Sequence, residues 1–329
     1  MKNGIKNLAK FLVALLCAMG SMSAWSAPGD LLATVTLPGN GSAVGGVMIP
    51  LPGGGQAYAS PRGLRGSIID IYAPPAGLGA QVATLIATKT VANGDGIYGC
   101  ITWDSSRSQL WGAGGGGGSV YSLDLGDPTV SGPVTAVLEF SHGVSGIGLC
   151  DGIAYDSSSD TIWLSPDVDS SVYEFGLGGA NPEGVLLNTI SPQSAGAVAD
   201  GLVSGVEIGA NNSLYIARNG AREIRRVSKS TGAFISNFSQ TVGRAEDLSC
   251  DSVTYAPLSA MIAKEFDFPG YEVFEVDPDT CEGGIIEPPP VDPDAEPVPL
   301  MNRFGLVILA LMLGMAGLWA QRRFNAPRP

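Results

Sequence analysis

The stretch TIWLS, Thr161–Ser165, belongs to a pattern that recurs along the chain. The related stretches are QAYAS (Gln56–Ser60), QLWGA (Gln109–Ala113), SLYIA (Ser213–Ala217) and AMIAK (Ala260–Lys264). Their central residues, Tyr58, Trp111, Trp163, Tyr215 and Ile262, lie about 53, 52, 52 and 47 residues apart. A period of this length indicates a repeat protein in which each unit is one supersecondary structure.

Each unit predicts four short strands. A strand of the type GVMIP, CITWD, GIAYD, GVEIG or SVTYA precedes each stretch, and a third strand such as GSIIDIY, GSVYSLDL, SSVYEF, REIRRVS or YEVFEVD follows it. A fourth apolar segment closes most units, as in QVATLIA, VTAVLEF, GVLLNTI and GAFISNF. Short strands rich in Val, Ile and Tyr, separated by Gly, Asp, Asn and Ser, are typical of antiparallel propeller blades.

The last unit has no fourth segment of its own. LLATVTL, Leu31–Leu37, resembles the other fourth strands and stands alone near the N-terminus. Because a circular array leaves open edges unless the chain ends share a blade, we expect this strand to pair with Tyr271–Asp277. The sequence therefore predicts an all-β, five-bladed β-propeller over residues 27–281, closed by the N-terminal strand.

The glycine run GAGGGGG, Gly112–Gly118, occupies the position of SPDVDSS and ARNGAR in later units. It predicts a turn between a second and a third strand. A phosphate-binding loop requires a following Lys and Ser or Thr at the start of a helix, and the sequence has neither.

The two ends of the chain predict export and a membrane anchor. Residues 1–26 have the three-part pattern of a signal peptide, with three lysines, an apolar core and small residues before Ala27. Residues 282–300 form a linker rich in Pro and acidic residues, and residues 301–329 contain an uncharged apolar segment at 304–320. That segment is just long enough for a transmembrane helix, and the arginines after it place the tail in the cytoplasm.

The C-terminal segment also resembles a bacterial sorting signal. VPLMNRFG, Val298–Gly305, precedes the apolar segment and the pair Arg322 and Arg323, and Val298, Pro299, Phe304 and Gly305 match the IPTL-CTERM pattern in kind and spacing. The resemblance implies recognition by an exosortase-type membrane protease in a Gram-negative envelope. The alternative is an ordinary single-span anchor in the inner membrane.

Composition restricts the class of partner. The 329-residue chain carries a net charge of -13 and has a pI near 4.4. Such a charge repels phosphate backbones, so nucleic acid is excluded as the expected partner. Cations, basic surfaces and neutral glycans fit the charge better.

Acidic residues recur in the loops that are expected to lead into the first strands. They are Asp95, Asp151, Asp200, Asp247 and Asp251, with Glu246 beside Asp247. If these loops surround one mouth of the channel, the acids predict a metal site, with calcium as the candidate cofactor because it prefers oxygen ligands. The alternative is that each Asp caps its own turn.

CDGIAYDSSSDTIWLS, Cys150–Ser165, is similar to blade sequences of NHL and calcium-dependent lactonase propellers. The resemblance implies a propeller fold. It does not extend to the lactonase ligands, because the first unit offers no acid and the corresponding loops contain no Asn.

The remaining candidates for chemistry are one histidine and four cysteines. His142 is eligible for a Ser-His-Asp mechanism, although no nucleophile-elbow motif accompanies it, and an exposed loop histidine is the alternative. In an exported body, Cys100, Cys150, Cys250 and Cys281 predict disulfides, Cys100 with Cys150 and Cys250 with Cys281.

Two functions remain open at this point. The first is a binding or structural module displayed outside the cytoplasm, with an unknown extracellular ligand and no enzymatic activity. The second is a calcium-dependent hydrolase or lactonase that works at the acidic mouth.

Overall fold

The structure is a computed structural model that describes most of the chain between residues 27 and 281. The described residues are 27–41, 43–63, 67–92, 97–114, 118–144, 150–166, 170–195, 202–218, 221–241, 245–251, 253–266, 268–277 and 280–281. The predicted signal peptide, linker and C-terminal apolar segment lie outside them. Every regular element in the described part is a β-strand, and that part contains no helix able to span a membrane.

The strands form antiparallel sets of four, which confirms the predicted repeat. Set one contains β2 (Val47–Pro50), β3 (Gln56–Pro61), β4 (Ile68–Ala73) and β6 (Thr84–Ala92). Set two contains β7 (Ile97–Asp104), β8 (Gln109–Gly114), β9 (Ser119–Leu123) and β10 (Gly132–Ser141). Set three contains β11 (Cys150–Asp156), β12 (Thr161–Pro166), β13 (Val172–Gly176) and β14 (Leu186–Ile190). Set four contains β15 (Val203–Gly209), β16 (Ser213–Arg218), β17 (Glu223–Ser228) and β18 (Phe234–Ser239).

Set five is completed by the N-terminal strand. It contains β19 (Ala245–Asp251), β20 (Ser259–Glu265), β21 (Gly270–Val276) and β1 (Leu31–Thr36). β1 runs antiparallel to β21, with Val35 opposite Tyr271 and Thr34 opposite Glu272. The pairing predicted for the orphan N-terminal segment is therefore confirmed.

Two parallel pairings join neighbouring sets at their outer strands. β5 (Gly79–Val82) comes from the connection between β4 and β6 and adds to the free side of β1. β6 pairs in parallel with β10, so sets one and two form one eight-stranded sheet. The sequence did not predict β5 as a separate strand, because it treated Gln81 and Val82 as the start of the fourth strand.

The hydrophobic core lies between consecutive sets. One cluster of buried side chains joins each neighbouring pair, including a cluster in which Tyr58 of set one packs with Ile262 and Tyr271 of set five. The central residues of the repeated stretches are all buried in these clusters: Tyr58, Trp111, Trp163, Tyr215 and Ile262. The first strands also contact one another in the order β2, β7, β11, β15, β19 and again β2. The fold is all-β and β-propeller-like.

Both predicted disulfides are present. Cys100 in β7 is bonded to Cys150 in β11, with 5.7 Å between their Cα atoms. Cys250 in β19 is bonded to Cys281, with 5.4 Å between their Cα atoms. The first bond ties two neighbouring sets together, and the second ties the end of the domain to the first strand of set five.

The start of set five differs from the sequence prediction. SVTYA was predicted as its first strand, but the structure has a turn over Val253–Leu258 and the strand β19 before it. The Asp251 carboxylate accepts the N–H groups of Val253 and Thr254, which ends the strand. Cys250 therefore lies near the end of β19, on the same side of the set as Cys281.

Glycines allow the first strands to approach closely. A Cβ atom at Gly45 would lie 1.7 Å from the carbonyl oxygen of Gly99, and one at Gly152 would lie 2.5 Å from the nitrogen of Val206. Both obstacles are backbone atoms of the neighbouring set. The inner strands are therefore packed backbone against backbone at these points.

We expect Gly45→Ala to destabilise the protein by about 3 kcal/mol, because the new methyl group forces two sets apart. Gly132→Ala in β10 is the matched control, since a Cβ atom there would meet nothing within 4 Å. Urea unfolding followed by circular dichroism measures both changes. Equal midpoints for the two variants would contradict the close approach.

Candidate functional site

The predicted acidic mouth is only partly described by the structure. Asp95 and Asp200 lie outside the described residues. Asp151 and Asp247 are buried near the starts of β11 and β19, inside the strands rather than in the loops where the sequence placed them. Glu246 is buried beside Asp247.

Asp251 is not at that mouth. It is the last residue of β19, and Asp104 and Asp156 occupy the same place at the ends of β7 and β11. All three carboxylates accept backbone N–H groups of the turn that follows. This placement corrects the prediction that Asp251 belongs to a mouth loop, and it matches the turn-capping alternative.

Asp247 binds backbone groups of several strands. Its Oδ1 accepts the N–H of Leu248 at 3.0 Å, and its Oδ2 accepts the N–H of Gly46 at 3.4 Å. The N–H of Ile101 in β7 also donates to this carboxylate. One side chain therefore connects the first strands of sets five, one and two.

Glu207 makes the corresponding contact between sets four and five. Its Oε1 accepts the N–H of Ile208 at 2.7 Å, and the carboxylate also accepts the N–H of Cys250 in β19. Sequence reasoning missed Glu207, since GVEIG looks like an ordinary strand with one polar residue. Its position in the repeat could have identified it. When the first strands are aligned at their last residues, Glu207 stands at the position of Thr102 in CITWD.

Two hydroxyl groups at that aligned position act in the same way. Thr102 Oγ1 accepts the N–H of Tyr155 in set three at 3.1 Å, and Ser249 Oγ accepts the N–H of Met48 in set one at 3.0 Å. The inner edge of a first strand has no further strand to pair with, so its N–H groups need other acceptors. Side chains of the preceding set supply these acceptors.

Burial makes both axial carboxyl groups hard to ionise. Burial raises the pKa of Asp247 well above its usual range, and the nearby carboxylate of Glu207 raises it further. Burial likewise raises the pKa of Glu207 to about 8, with a smaller contribution from Asp156. Neither group has an ion-pair partner among the described residues.

A second polar cluster lies at the mouth end of set five. Lys264 is fully buried, its Nζ donates to the carbonyl oxygen of Glu265 at 2.8 Å, and burial lowers its pKa to about 8. The amide of Gln240 donates to the Glu265 carboxylate at 2.9 Å. These groups are linked to one another inside the protein, so the cluster acts as internal packing.

His142 is half-buried rather than exposed. Its ring lies 5.4 Å from that of Phe175, and its Nδ1 accepts the N–H of Val144 at 3.3 Å. Burial lowers the pKa of His142, so the ring is neutral at pH 7. Within the described part of the chain no serine hydroxyl bonds to it, and a Ser-His-Asp arrangement is not formed there.

No three His, Cys, Asp or Glu side chains are grouped as metal ligands in the part of the chain that the structure describes. The acids found there are used differently. Asp247 and Glu207 accept backbone N–H groups, and Asp251 caps a turn. A metal ion at the mouth remains a prediction that depends on Asp95 and Asp200.

Comparison with known proteins gives only distant structural similarities. No protein-family model and no curated protein matches the sequence. Among solved structures, the glutaminyl cyclase of Myxococcus xanthus is similar, with 14% identity over 76% of this chain and 99% of that chain and a TM-score of 0.49. A luciferin-regenerating enzyme has 13% identity over 71% of this chain and 78% of its own, with a TM-score of 0.44. A chain of a mitotic checkpoint complex has 12% identity over 67% and 61%, with a TM-score of 0.41. No activity follows from similarities this distant.

Proposed function

We propose that this chain is an exported five-bladed β-propeller that serves as a binding or structural module outside the cytoplasm and has no catalytic activity of its own. The observation that carries the proposal is the pair of disulfides, which use all four cysteines of the body. Disulfides of this kind persist in oxidising compartments and are rare in the cytosol.

Closure into five blades is supported by the seam between sets five and one. The Ser249 hydroxyl and the Asp247 carboxylate both accept N–H groups of set one, and Tyr58 and Tyr271 pack at 4.5 Å between ring centroids across the seam. A side chain accepts an N–H group in the same way between sets two and three, at Thr102, and between sets four and five, at Glu207. A ring of five equivalent units accounts for all of these contacts.

The proposed absence of catalysis is supported by the hydrogen bonds of the buried carboxylates. A buried carboxylate that accepts backbone N–H groups has fewer lone pairs left for a substrate or an ion. The oxygens of Asp247 and Glu207 bind the N–H groups of inner strands. Glu207 also stands at the aligned position of Thr102 and Ser249, whose described role is to accept N–H groups of a neighbouring set.

Anchoring is proposed from the sequence alone. The signal peptide, the acidic linker and the C-terminal segment with Val298, Pro299, Phe304 and Gly305 place the propeller outside the inner membrane, attached at its C-terminus. An exosortase-type protease is the proposed partner in sorting, and the extracellular ligand is of a class that suits the net charge of -13: a cation, a basic surface or a neutral glycan.

The experiment that tests export uses the thiols as reporters. The full chain is produced in a Gram-negative host, and each cell fraction is treated with a thiol-alkylating reagent before and after reduction. We expect the membrane fraction to contain protein whose body cysteines react only after reduction, and a variant lacking residues 1–26 to stay in the cytoplasm with reactive thiols. Reactive thiols in the full chain, or its recovery from the cytoplasm, would contradict the proposal.

Calcium distinguishes this function from the calcium-dependent hydrolase. We expect the melting temperature of the body to be the same with calcium and with a chelator, because the Asp247 and Glu207 carboxylates already accept N–H groups inside the protein. A bound ion would raise the melting temperature by mass action. A rise with calcium that is lost in Asp151→Ala, but not in Asp124→Ala, would support the hydrolase instead.

A further inference from the structure

The Cys250–Cys281 disulfide lies where the domain ends and the linker begins. Cys281 is the last residue of the predicted body, and the Pro-rich acidic linker starts at Glu282. Its two cysteines are 31 residues apart in the sequence, and the segment between them contains β20 and β21. It joins the exit point of the chain to β19, the innermost strand of set five.

Without this bond, tension on the linker would act first on the end of β21. Val276, the last residue of that strand, pairs with Ser259 of β20, and Phe274 pairs with Leu31 of β1. A pull at the strand end breaks such pairs one after another. Loss of β21 would also detach β1, because β1 is held between β21 and β5.

With the bond in place, tension passes from Cys281 directly to Cys250. β19 is fixed to its neighbours by inter-set contacts, namely Ser249 with Met48, Asp247 with Gly46, and the Ser204 hydroxyl with the carbonyl oxygen of Ala245. Cys250 therefore belongs to the part of set five that is most strongly connected to the rest of the ring.

We propose that the Cys250–Cys281 disulfide is a mechanical clamp, which transmits tension from the C-terminal anchor to the inner ring and protects the closing strands from being pulled apart. The inference rests on the proposed C-terminal attachment for its biological use. The resistance of the bonded domain to tension can be measured on the purified body, without the anchor.

Optical-tweezers measurements on residues 27–285 test the clamp, with one handle at the C-terminal end and the other at the turn Ser105–Ser108 of set two, so that neither handle pulls on β1. The variant carries Cys250→Ser and Cys281→Ser, and the matched control carries Cys100→Ser and Cys150→Ser, which leaves the clamp intact. We expect the first opening event of the clamp variant to occur at about half the force or less, with a rate at fixed force raised roughly tenfold, because forced opening follows the unfolding rate. The control keeps the first-event force of the unmodified protein.

The length change gives an independent signature. In the unmodified protein the bond prevents extension of the segment between Cys250 and Cys281, a sequence separation of 31. The fully extended unmodified protein is therefore shorter than the fully extended clamp variant by about 100 Å, at roughly 3.3 Å per residue. If the clamp variant does not fold, the Cys100→Ser, Cys150→Ser protein is pulled with and without reductant instead. An unchanged first-event force after loss of Cys250–Cys281 overturns the clamp, whereas a cytoplasmic location of the protein in cells would overturn only the proposed function.

Discussion

Val35→Asp is expected to prevent the protein from folding. Val35 is fully buried in β1, opposite Tyr271 on one side and Gln81 of β5 on the other. An unpaired carboxylate there would cost several kcal/mol, which is a large part of the roughly 5–15 kcal/mol that stabilises a typical domain. Without β1, the edges of β21 and β5 are also left unpaired.

Leu31→Asp is the matched control for this prediction. Leu31 belongs to the same strand but is 40% exposed, so its replacement leaves the core intact. Urea unfolding followed by near-ultraviolet circular dichroism should show a cooperative transition for Leu31→Asp and none for Val35→Asp. A cooperative transition with an unchanged midpoint in Val35→Asp would mean that β1 does not close the ring.

Addition of the missing strand in trans gives a second test of closure. A chain that begins at Pro38 lacks β1, and a synthetic peptide of residues 27–37 supplies it. We expect the peptide to restore the cooperative transition, because the pairing partners β21 and β5 belong to the rest of the chain. A peptide with Val35→Asp should have no effect.

Local patterns in the sequence were sufficient to predict most of the fold. The repeated stretches around Tyr58, Trp111, Trp163 and Tyr215 became second strands, because alternating apolar residues between turn residues have few other ways to be buried. The segment that begins at Leu31 pairs with β21 and completes the set that had no fourth strand of its own. Both disulfides were predicted from the even number of cysteines in a body expected to be exported.

The features that the sequence could not predict depend on contacts between distant residues. β5 is short and mostly exposed, and only its pairing with β1 defines it as a strand. Glu207 looks like a surface residue until Cys250, in the next set, is placed beside it. In set five, SVTYA has the composition of a strand, but the Asp251 carboxylate binds its first N–H groups and holds a turn.

The stability of the ring should fall as the pH rises from 6.5 to 8. Burial raises the pKa of Glu207 to about 8, and it raises the pKa of Asp247 as well. The folded protein therefore holds protons that the unfolded chain releases above about pH 4.5. This contribution is complete below the unfolded pKa and is lost as the pH rises through the folded pKa, at about 1.4 kcal/mol per pH unit for each proton held.

Other titratable groups determine the pH range, from 6.5 to 8, over which this fall in stability is expected. Burial lowers the pKa of His142, so its contribution increases with pH up to about 6.5 and then stays constant. Burial also lowers the pKa of Lys264 to about 8, so its contribution increases above that pH. The carboxyl groups of Asp156 and Asp160, whose pKa values are lowered, are already ionised throughout the window.

Glu207→Gln isolates the axial pair, since the amide oxygen can still accept the N–H groups of Ile208 and Cys250 but cannot ionise. We expect the free energy of unfolding of the unmodified protein to fall by about 2 kcal/mol or more between pH 6.5 and 8, and that of Glu207→Gln to fall clearly less.

Glu223→Gln is the control, because Arg225, Asn237 and Arg218 lower the pKa of Glu223. This variant should shift the free energy of unfolding by the same amount at every pH in the window, so its slope against pH stays unchanged. Burial also raises the pKa of Asp247, so Asp247→Asn should reduce the slope as well. If Glu207→Gln and Glu223→Gln show the same slope as the unmodified protein, the carboxyl groups on the axis are ionised at neutral pH and the ring is held together without a bound proton.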